Sequence, residues 1–259
     1  MHSKIIAINI GISPVELKQF YQLEENHPHA NTVSEIVMLC FCIAHGDRLI
    51  MIDAAALPTG ELAEAFPMNE PTPQPLLEQL ADMHITAERV TDVIITHTHW
   101  DHYNGLTHEV EGKLVPAFPN ARHIIHAADW NPDTFEALEK STLQVVGEYG
   151  LVSLIEGRFE IADGLTIIPA PGETPGHQII ELIANGKPHY FCGDLFHHEV
   201  EFDDFSLNVP WAEPITMGES KKAILTIAAE NGGMLYFSHI DGAFLVEQNG
   251  EAFLFSKQK

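Results

Sequence analysis

Basic residues are scarce in this chain. Lysine and arginine together number 13 against 37 aspartates and glutamates, a formal net charge of −24 over 259 residues. So acidic a surface repels phosphate backbones and anionic membranes, so neither nucleic acid nor a membrane is an expected partner. Cysteine is scarce too. Cys40, Cys42 and Cys192 are odd in number and show no Cys-x-x-Cys spacing, so no disulfide framework is implied. No apolar run approaches the roughly 18–20 residues that cross a bilayer. The stretch from Met1 to Ile12 lacks the apolar centre and cleavage site of a signal peptide, so a cytoplasmic protein is expected. Short repeats, low-complexity tracts and linker-like breaks are missing, and residues 1–259 read as one large domain.

Histidine is the abundant exception, with 16 residues, more than lysine and arginine combined. Their placement depends on a mixed pattern of elements. Residues 35–44 and 49–52 are apolar, β-rich runs on either side of the turn His45-Gly46-Asp47-Arg48. Residues 54–74 read as loop with at most one helical turn, and Pro75 opens a helix with Leu76, Leu77, Leu80 and Met83 on one face. Further strands are expected at 93–96, 120–129, 179–184, 189–192 and 234–237, with hairpin-like pieces at 151–155, 158–161 and 165–168. A helix is expected after Pro132, running through Phe135 and Leu138. Another starts at a Thr216/Glu219 capping box, presents Ile224, Leu225, Ile227 and Ala228, and stops at Asn231-Gly232-Gly233. Strands and helices mixed in this way predict an α/β domain with mixed sheets.

The chemistry concentrates at the ends of strands. Thr96-His97-Thr98-His99-Trp100-Asp101-His102 follows the strand 93–96, and His97 and His99, two residues apart on extended backbone, point the same way. Thr174-Pro175-Gly176-His177 puts a histidine in a turn before a strand. Cys192-Gly193-Asp194 and Ser238-His239 put an acid and a histidine just past two more strands. Five histidines and two aspartates are too many for one tetrahedral ion. A shared carboxylate gives two ions four protein ligands each. Imidazole and carboxylate without thiolate suit Zn²⁺, with Fe²⁺, Mn²⁺ or Co²⁺ as alternatives.

The His-x-His-x-Asp-His run, the turn His177, the Gly-Asp acid and the late Ser-His together resemble the metallo-β-lactamase superfamily, in order and spacing, from about residue 35 to 240. The resemblance implies an αββα sandwich: two mixed sheets flanked by helices, with metals at one edge. It implies that His97, His99 and His177 hold one metal, that Asp101, His102 and His239 hold the other, and that Asp194 bridges them. Among the branches, β-lactamases with a cysteine ligand place it where Asp194 stands. Flavodiiron oxidoreductases carry Glu at the place of His99, and RNA-processing members are larger or more basic. The chain looks closest to quorum-quenching lactonases and related esterase or organophosphate hydrolases. Glyoxalase II-like thioesterases are an alternative, and an iron-dependent redox enzyme on the same ligands is the non-hydrolase one. The lactonases have Tyr three residues after the bridging acid; here His197 stands there.

The resemblance therefore implies a hydrolase that opens a lactone or ester with a bridging hydroxide. Asp101 is the expected proton shuttle and His197 the expected donor to the developing oxyanion. Trp100, Phe196, Phe202, Phe205, Trp211 and the stretch Phe20–Thr32 are candidate pocket walls for a small, neutral substrate; a homodimer is compatible. The remaining histidines read more plainly: His27 and His29 as exposed loop, His123 and His126 as core or strand edge, His198 as surface or as a support behind the ligands. Asp53, at a strand end, either orients a ligand histidine or accepts bonds from a turn.

Overall fold

A computed structural model describes residues 3–258. The chain opens with the strands β1 (Ser3–Glu16), β2 (Val33–His45), β3 (Arg48–Ile52) and β4 (Asp92–Ile94). A separate hairpin follows, β5 (Thr107–Val110) and β6 (Lys113–Pro116), and then β7 (Arg122–His126) and β8 (Val152–Ile155). The remaining strands are β9 (Phe159–Ala162), β10 (Leu165–Pro169), β11 (Gln178–Ala184), β12 (Lys187–Phe191), β13 (Met234–Tyr236), β14 (Ala243–Asn249) and β15 (Ala252–Gln258). One sheet has the order β1-β2-β3-β4-β7-β8, the other β15-β14-β13-β12-β11-β10-β9.

Period-2 alternation sorts the side chains into layers. On β2, Leu39, Phe41 and Ile43 face a core shared with Ile167, Ile180, Leu182 and Phe191 of the second sheet. The intervening Met38, Cys40 and Cys42 face outward, where the helix Leu76–Asp82 and the helix Leu143–Glu148 cover them. The outer face of the second sheet is covered by the long helix Pro214–Asn231. The result is the αββα sandwich. No helix among the described residues is long and apolar enough to cross a membrane.

Several local expectations give way to tertiary structure. The N-terminal stretch is a 14-residue strand, stabilised by pairing along β2 rather than by its own weak apolar pattern. The pieces at 151–155 and 158–161 do not pair: β8 lies parallel to β7 in one sheet and β9 antiparallel to β10 in the other, so the chain crosses between sheets there. The expected helix after Pro132 is divided into a short 3₁₀ turn at Pro132–Thr134 and the helix Ala137–Ser141. The last helix starts before Thr216, with Pro214 at its first position and the Glu213 carboxylate accepting from the Thr216 N–H at 2.7 Å. Ile227 is exposed, whereas Lys221 is buried because its ammonium donates to Glu201 Oε2 at 2.7 Å. The hairpin β5–β6 and the terminal hairpin β14–β15 have no counterpart in the sequence reading.

The first sheet runs β3, β4, β7 and β8 parallel, and β12 is parallel to β13 in the second. Carboxyl ends of parallel strands gather on one edge, where the connecting loops can build a site. At that edge the sheets are tied by backbone bonds: Gln178 N–H to Thr96 O at 2.9 Å and Leu39 N–H to Ser238 O at 2.9 Å.

Candidate metal centre

All seven residues picked out by position converge at this edge. His97, His99, Asp101 and His102 follow β4. His177 precedes β11, Asp194 follows β12, and His239 follows β13. The donor atoms of His97, His99 and Asp194, with those of Glu173, lie within 4.8 Å of one another; those of Asp101, His102 and His239 form a second group on the same criterion. Asp194 joins the two, with Oδ2 at 3.8 Å from His97 Nε2 and 3.1 Å from His239 Nε2, and Oδ1 at 3.3 Å from His102 Nε2. His177 closes the first group from the side, its ring centroid 5.1 Å from that of His97.

Three of the imidazoles have their tautomer set by an acceptor behind them. His102 Nδ1 lies 2.8 Å from Asp53 Oδ2, His177 Nδ1 is 2.8 Å from Ala170 O, and His239 Nδ1 is 2.8 Å from Val37 O. Carboxylates and carbonyls only accept, so each Nδ1 carries a proton and Nε2 is the nitrogen turned toward the centre. Asp53 also takes the Thr96 N–H at 2.8 Å and the Thr96 hydroxyl at 3.0 Å, so one side chain fixes both the turn after β4 and His102.

Asp129 braces the first group from outside. Its carboxylate accepts from the Thr174 hydroxyl at 2.6 Å, the Gly176 N–H at 2.7 Å and the Thr98 N–H at 3.3 Å, linking the loop of His97 and His99 to the turn of His177. Gly176 is required by that brace, since a Cβ there would sit 2.6 Å from Asp129 Cγ. Gly193 has φ +53°, and a Cβ on it would lie 2.7 Å from His177 Nε2, so the glycine lets the backbone pass against that imidazole, whose Nε2 accepts the Asp194 N–H at 3.2 Å.

Burial lowers His97 and His177, which favours the neutral, ligating form. Burial would also lower His239, but Asp194 and Asp101 outweigh it and push the imidazole up to about 10. Burial would raise Asp194, and His239 and His102 outweigh it, holding the carboxyl well below its usual range. Buried acids and imidazoles thus compete for protons that a cation would displace. His102 Nε2, Asp194 Oδ1, Glu173 Oε2 and His197 Nε2 are buried without a hydrogen-bond partner. Nitrogen and oxygen donors converging in a buried space fit divalent metal ions.

His197 lies beside the centre, with Nε2 at 3.5 Å from Asp194 Oδ2 and 3.4 Å from Glu173 Oε1. Its backbone N–H donates to Glu201 Oε1 at 2.8 Å, its ring Nδ1 lies 3.5 Å from the same oxygen, and Glu201 is fully buried between Lys221 and the Tyr21 hydroxyl, the latter 2.6 Å away. The centre opens into a cavity of about 200 Å³ walled by Phe20, Met38, Phe66, Met68, Trp100 and Trp211. Of the expected wall residues, Phe196, Phe202 and Phe205 lie elsewhere: they stack with Phe237, Phe253 and Phe255 beneath the second sheet. Phe20 is the one part of the stretch Phe20–Thr32 that reaches the cavity. His123 is buried in β7, His126 caps the turn after it, and His198 accepts from Val200 N–H while facing Ser34. Sequence reasoning missed Glu173, Asp129 and Glu201. An acid inside a Gly/Pro turn, four residues before His177, was the one available sign of Glu173.

A sequence profile described as the metallo-β-lactamase superfamily matches residues 38–239. A “Probable metallo-hydrolase” of Mycobacterium tuberculosis is 26% identical over 137 residues, 48% of this chain and 43% of that protein. A hydroxyacylglutathione hydrolase of Hahella chejuensis is 28% identical over 133 residues, 51% of this chain and 42% of that protein. The matches thus span less than half the length of these relatives. Among solved structures, a “probable metal-dependent hydrolase” from Staphylococcus aureus superposes with TM-score 0.79 at 19% identity, covering 99% of this chain and 97% of that one. AidC, described as a dizinc quorum-quenching lactonase in complex with a homoserine product, superposes with TM-score 0.73 at 17% identity, over 99% and 95% of the two chains. At these identities the structural likeness is one of fold.

Proposed function

Because this chain belongs to the metallo-β-lactamase superfamily, we propose that it is a dinuclear metal-dependent hydrolase that opens a lactone or ester of a small, neutral, largely apolar molecule. In this reading His97, His99 and His177 hold one ion, Asp101, His102 and His239 the other, and Asp194 serves both. Zinc is the first choice for an imidazole–carboxylate set. When bound, two such ions supply an acidified water and polarise a carbonyl. The observation that carries the reading is the pair of donor groups joined through Asp194 at the floor of an apolar cavity.

The chain's own groups supply the rest. Asp101 Oδ2 is 3.2 Å from His239 Nε2 and its side chain is 14% exposed, so the carboxylate borders both the centre and the cavity. There it can take a proton from the nucleophile and return it to the leaving alkoxide. His197, also in the cavity lining, is placed to donate Nε2–H to the carbonyl oxygen as negative charge develops. The aromatic and methionine walls exclude water and hold an acyl or aryl group. No lysine or arginine lines the cavity among the described residues. A charged glutathione conjugate would find no counter-ion there, which favours a neutral lactone or ester over a glutathione thioester.

The test is elemental analysis of protein purified without added metal, with the same sample assayed on acyl lactones, aryl esters, a thioester and a phosphotriester. About two ions per chain and ester or lactone turnover lost on chelation are expected. Iron with dioxygen consumption and no hydrolysis would overturn the reading in favour of redox chemistry.

A further inference from the structure

Glu173 is the acid that neither the strand-end pattern nor the proposed ligand set accounts for. Its side chain is fully buried. Oε1 lies 3.1 Å from His99 Nδ1 and 3.4 Å from His197 Nε2, and it accepts from Trp211 Nε1 at 2.5 Å; Oε2 has no hydrogen-bond partner. A buried carboxylate with one bare oxygen is costly unless a cation lies against it. No lysine or arginine does so among the described residues; Lys221, a buried ammonium, is taken by Glu201, and the groups against Glu173 Oε1 are the imidazoles of His99 and His197 and the Trp211 indole.

The position of the side chain is imposed by its loop. Gly172 has φ +139°, and a Cβ there would sit 2.4 Å from Met217 Cα, so the loop lies directly on the last helix. Gly172 O accepts the Glu213 N–H at 2.7 Å, and Pro171 O accepts the Ser220 hydroxyl at 2.6 Å. One turn therefore delivers both His177 and Glu173. The Glu173 donor atom falls within 4.8 Å of those of His97, His99 and Asp194. We propose that Glu173 is a further ligand of the first metal position, adding a second carboxylate to His97, His99, His177 and Asp194. This rests on the dinuclear reading above and deepens it. An added anionic oxygen makes the donor set harder and more crowded, and so shifts the first position toward ions such as Mn²⁺ or Fe²⁺ that favour oxygen and high coordination number. It also ties that metal to the cavity wall, because the same carboxylate holds Trp211.

The experiment is chelator competition with Zn²⁺ and with Mn²⁺, together with visible absorption of the Co²⁺-loaded protein, on wild type, Glu173→Gln and Trp211→Phe. Glu173→Gln keeps an acceptor for Trp211 but loses the charge. The expected result is that one of two ions is weakened by roughly 100-fold or more for Mn²⁺ and by clearly less for Zn²⁺, with an altered Co²⁺ spectrum. Trp211→Phe removes the hydrogen bond but keeps the Glu173 charge, and is expected to leave the Mn²⁺-to-Zn²⁺ preference near wild type. A Glu173→Gln protein with an unchanged Co²⁺ spectrum and the same Mn²⁺-to-Zn²⁺ preference would overturn the proposal and leave Glu173 as an acceptor for Trp211 and His99. Wild-type protein that takes up no metal would overturn the dinuclear reading itself, and elemental analysis separates that result from the first. Thermal melts of the metal-free proteins identify a variant that fails to fold, in which case Glu173→Asp, which keeps the charge on a shorter arm, is read on the same two ions; an unchanged Mn²⁺-to-Zn²⁺ preference there counts against the proposal.

Discussion

Asp53 Oδ2 stands 2.8 Å from His102 Nδ1, and this contact decides which nitrogen of His102 faces Asp194. Asp53 itself sits at φ +60° at the end of β3, a conformation held by its two bonds to Thr96. Asp53→Ala frees the imidazole to rotate and leaves the Thr96 N–H unpaired. Metal affinity at the second position is expected to fall by about 10–100-fold, with hydrolysis falling in parallel, measured by chelator competition and steady-state kinetics.

His197 has a different signature. If it donates to the oxyanion, His197→Ala keeps two ions per chain but loses roughly 100–1,000-fold in kcat with little change in KM. Metal analysis on the same sample distinguishes this from a ligand. Unchanged turnover would remove His197 from the reaction.

The cavity wall is expected to act on binding. Phe66 packs against Trp100 with ring centroids 5.3 Å apart. Phe66→Ala removes apolar surface from an acyl or aryl group without touching the metal ligands. KM for the longest acyl substrate is expected to rise about tenfold, with short esters little affected. A chain-length series on both proteins checks it.

Two buried groups outside the proposed ligand set contribute to the pH dependence of stability. Burial pushes His123 down to about 4, against about 6.5 in an unfolded chain. Between those values the unfolded chain binds a proton that the folded one refuses. Stability is therefore complete above about pH 6.5 and falls toward pH 4, by roughly 3 kcal/mol from this group. Urea melts from pH 7.5 to 4.5 are expected to show a smaller loss for His123→Leu than for wild type.

Burial would raise Glu201, but the His197 hydrogen bond and the Lys221 charge outweigh it and bring it down to about 2. Its contribution is present above the unfolded value near 4.3 and is lost as pH falls through about 2. Lys221→Met, which strands the carboxylate, is expected to cost about 3–5 kcal/mol at neutral pH. The double variant Glu201→Gln/Lys221→Met is expected to recover part of that loss in the same melts.

Legibility from sequence followed the range of the interactions. His97, His99, Asp101 and His102 share one strand end, and His177, Asp194 and His239 each follow or precede a strand that its own apolar pattern marks. The sandwich was readable from the same strands and the family resemblance. Glu173, Asp129 and Glu201 were not, because an acid's role here depends on partners 47 residues away, as for Asp129 and Gly176, or 180 away, as for Glu201 and Tyr21. β1 was missed because its stability comes from β2. Phe196, Phe202 and Phe205 were misplaced because an aromatic near a ligand in sequence can face either side of the sheet.

The proposed ligands divide by sheet: His97, His99, Asp101 and His102 leave the first, while His177, Asp194 and His239 leave the second. Asp194 reaches across to His97 and His102. An ion in either group is thus a rivet between two halves of the chain, and pulling it out removes a crosslink rather than a local ornament. Holding the halves together would be a brake on opening, so in the proposed reading metal loading would govern how long the fold lasts as well as what it can do.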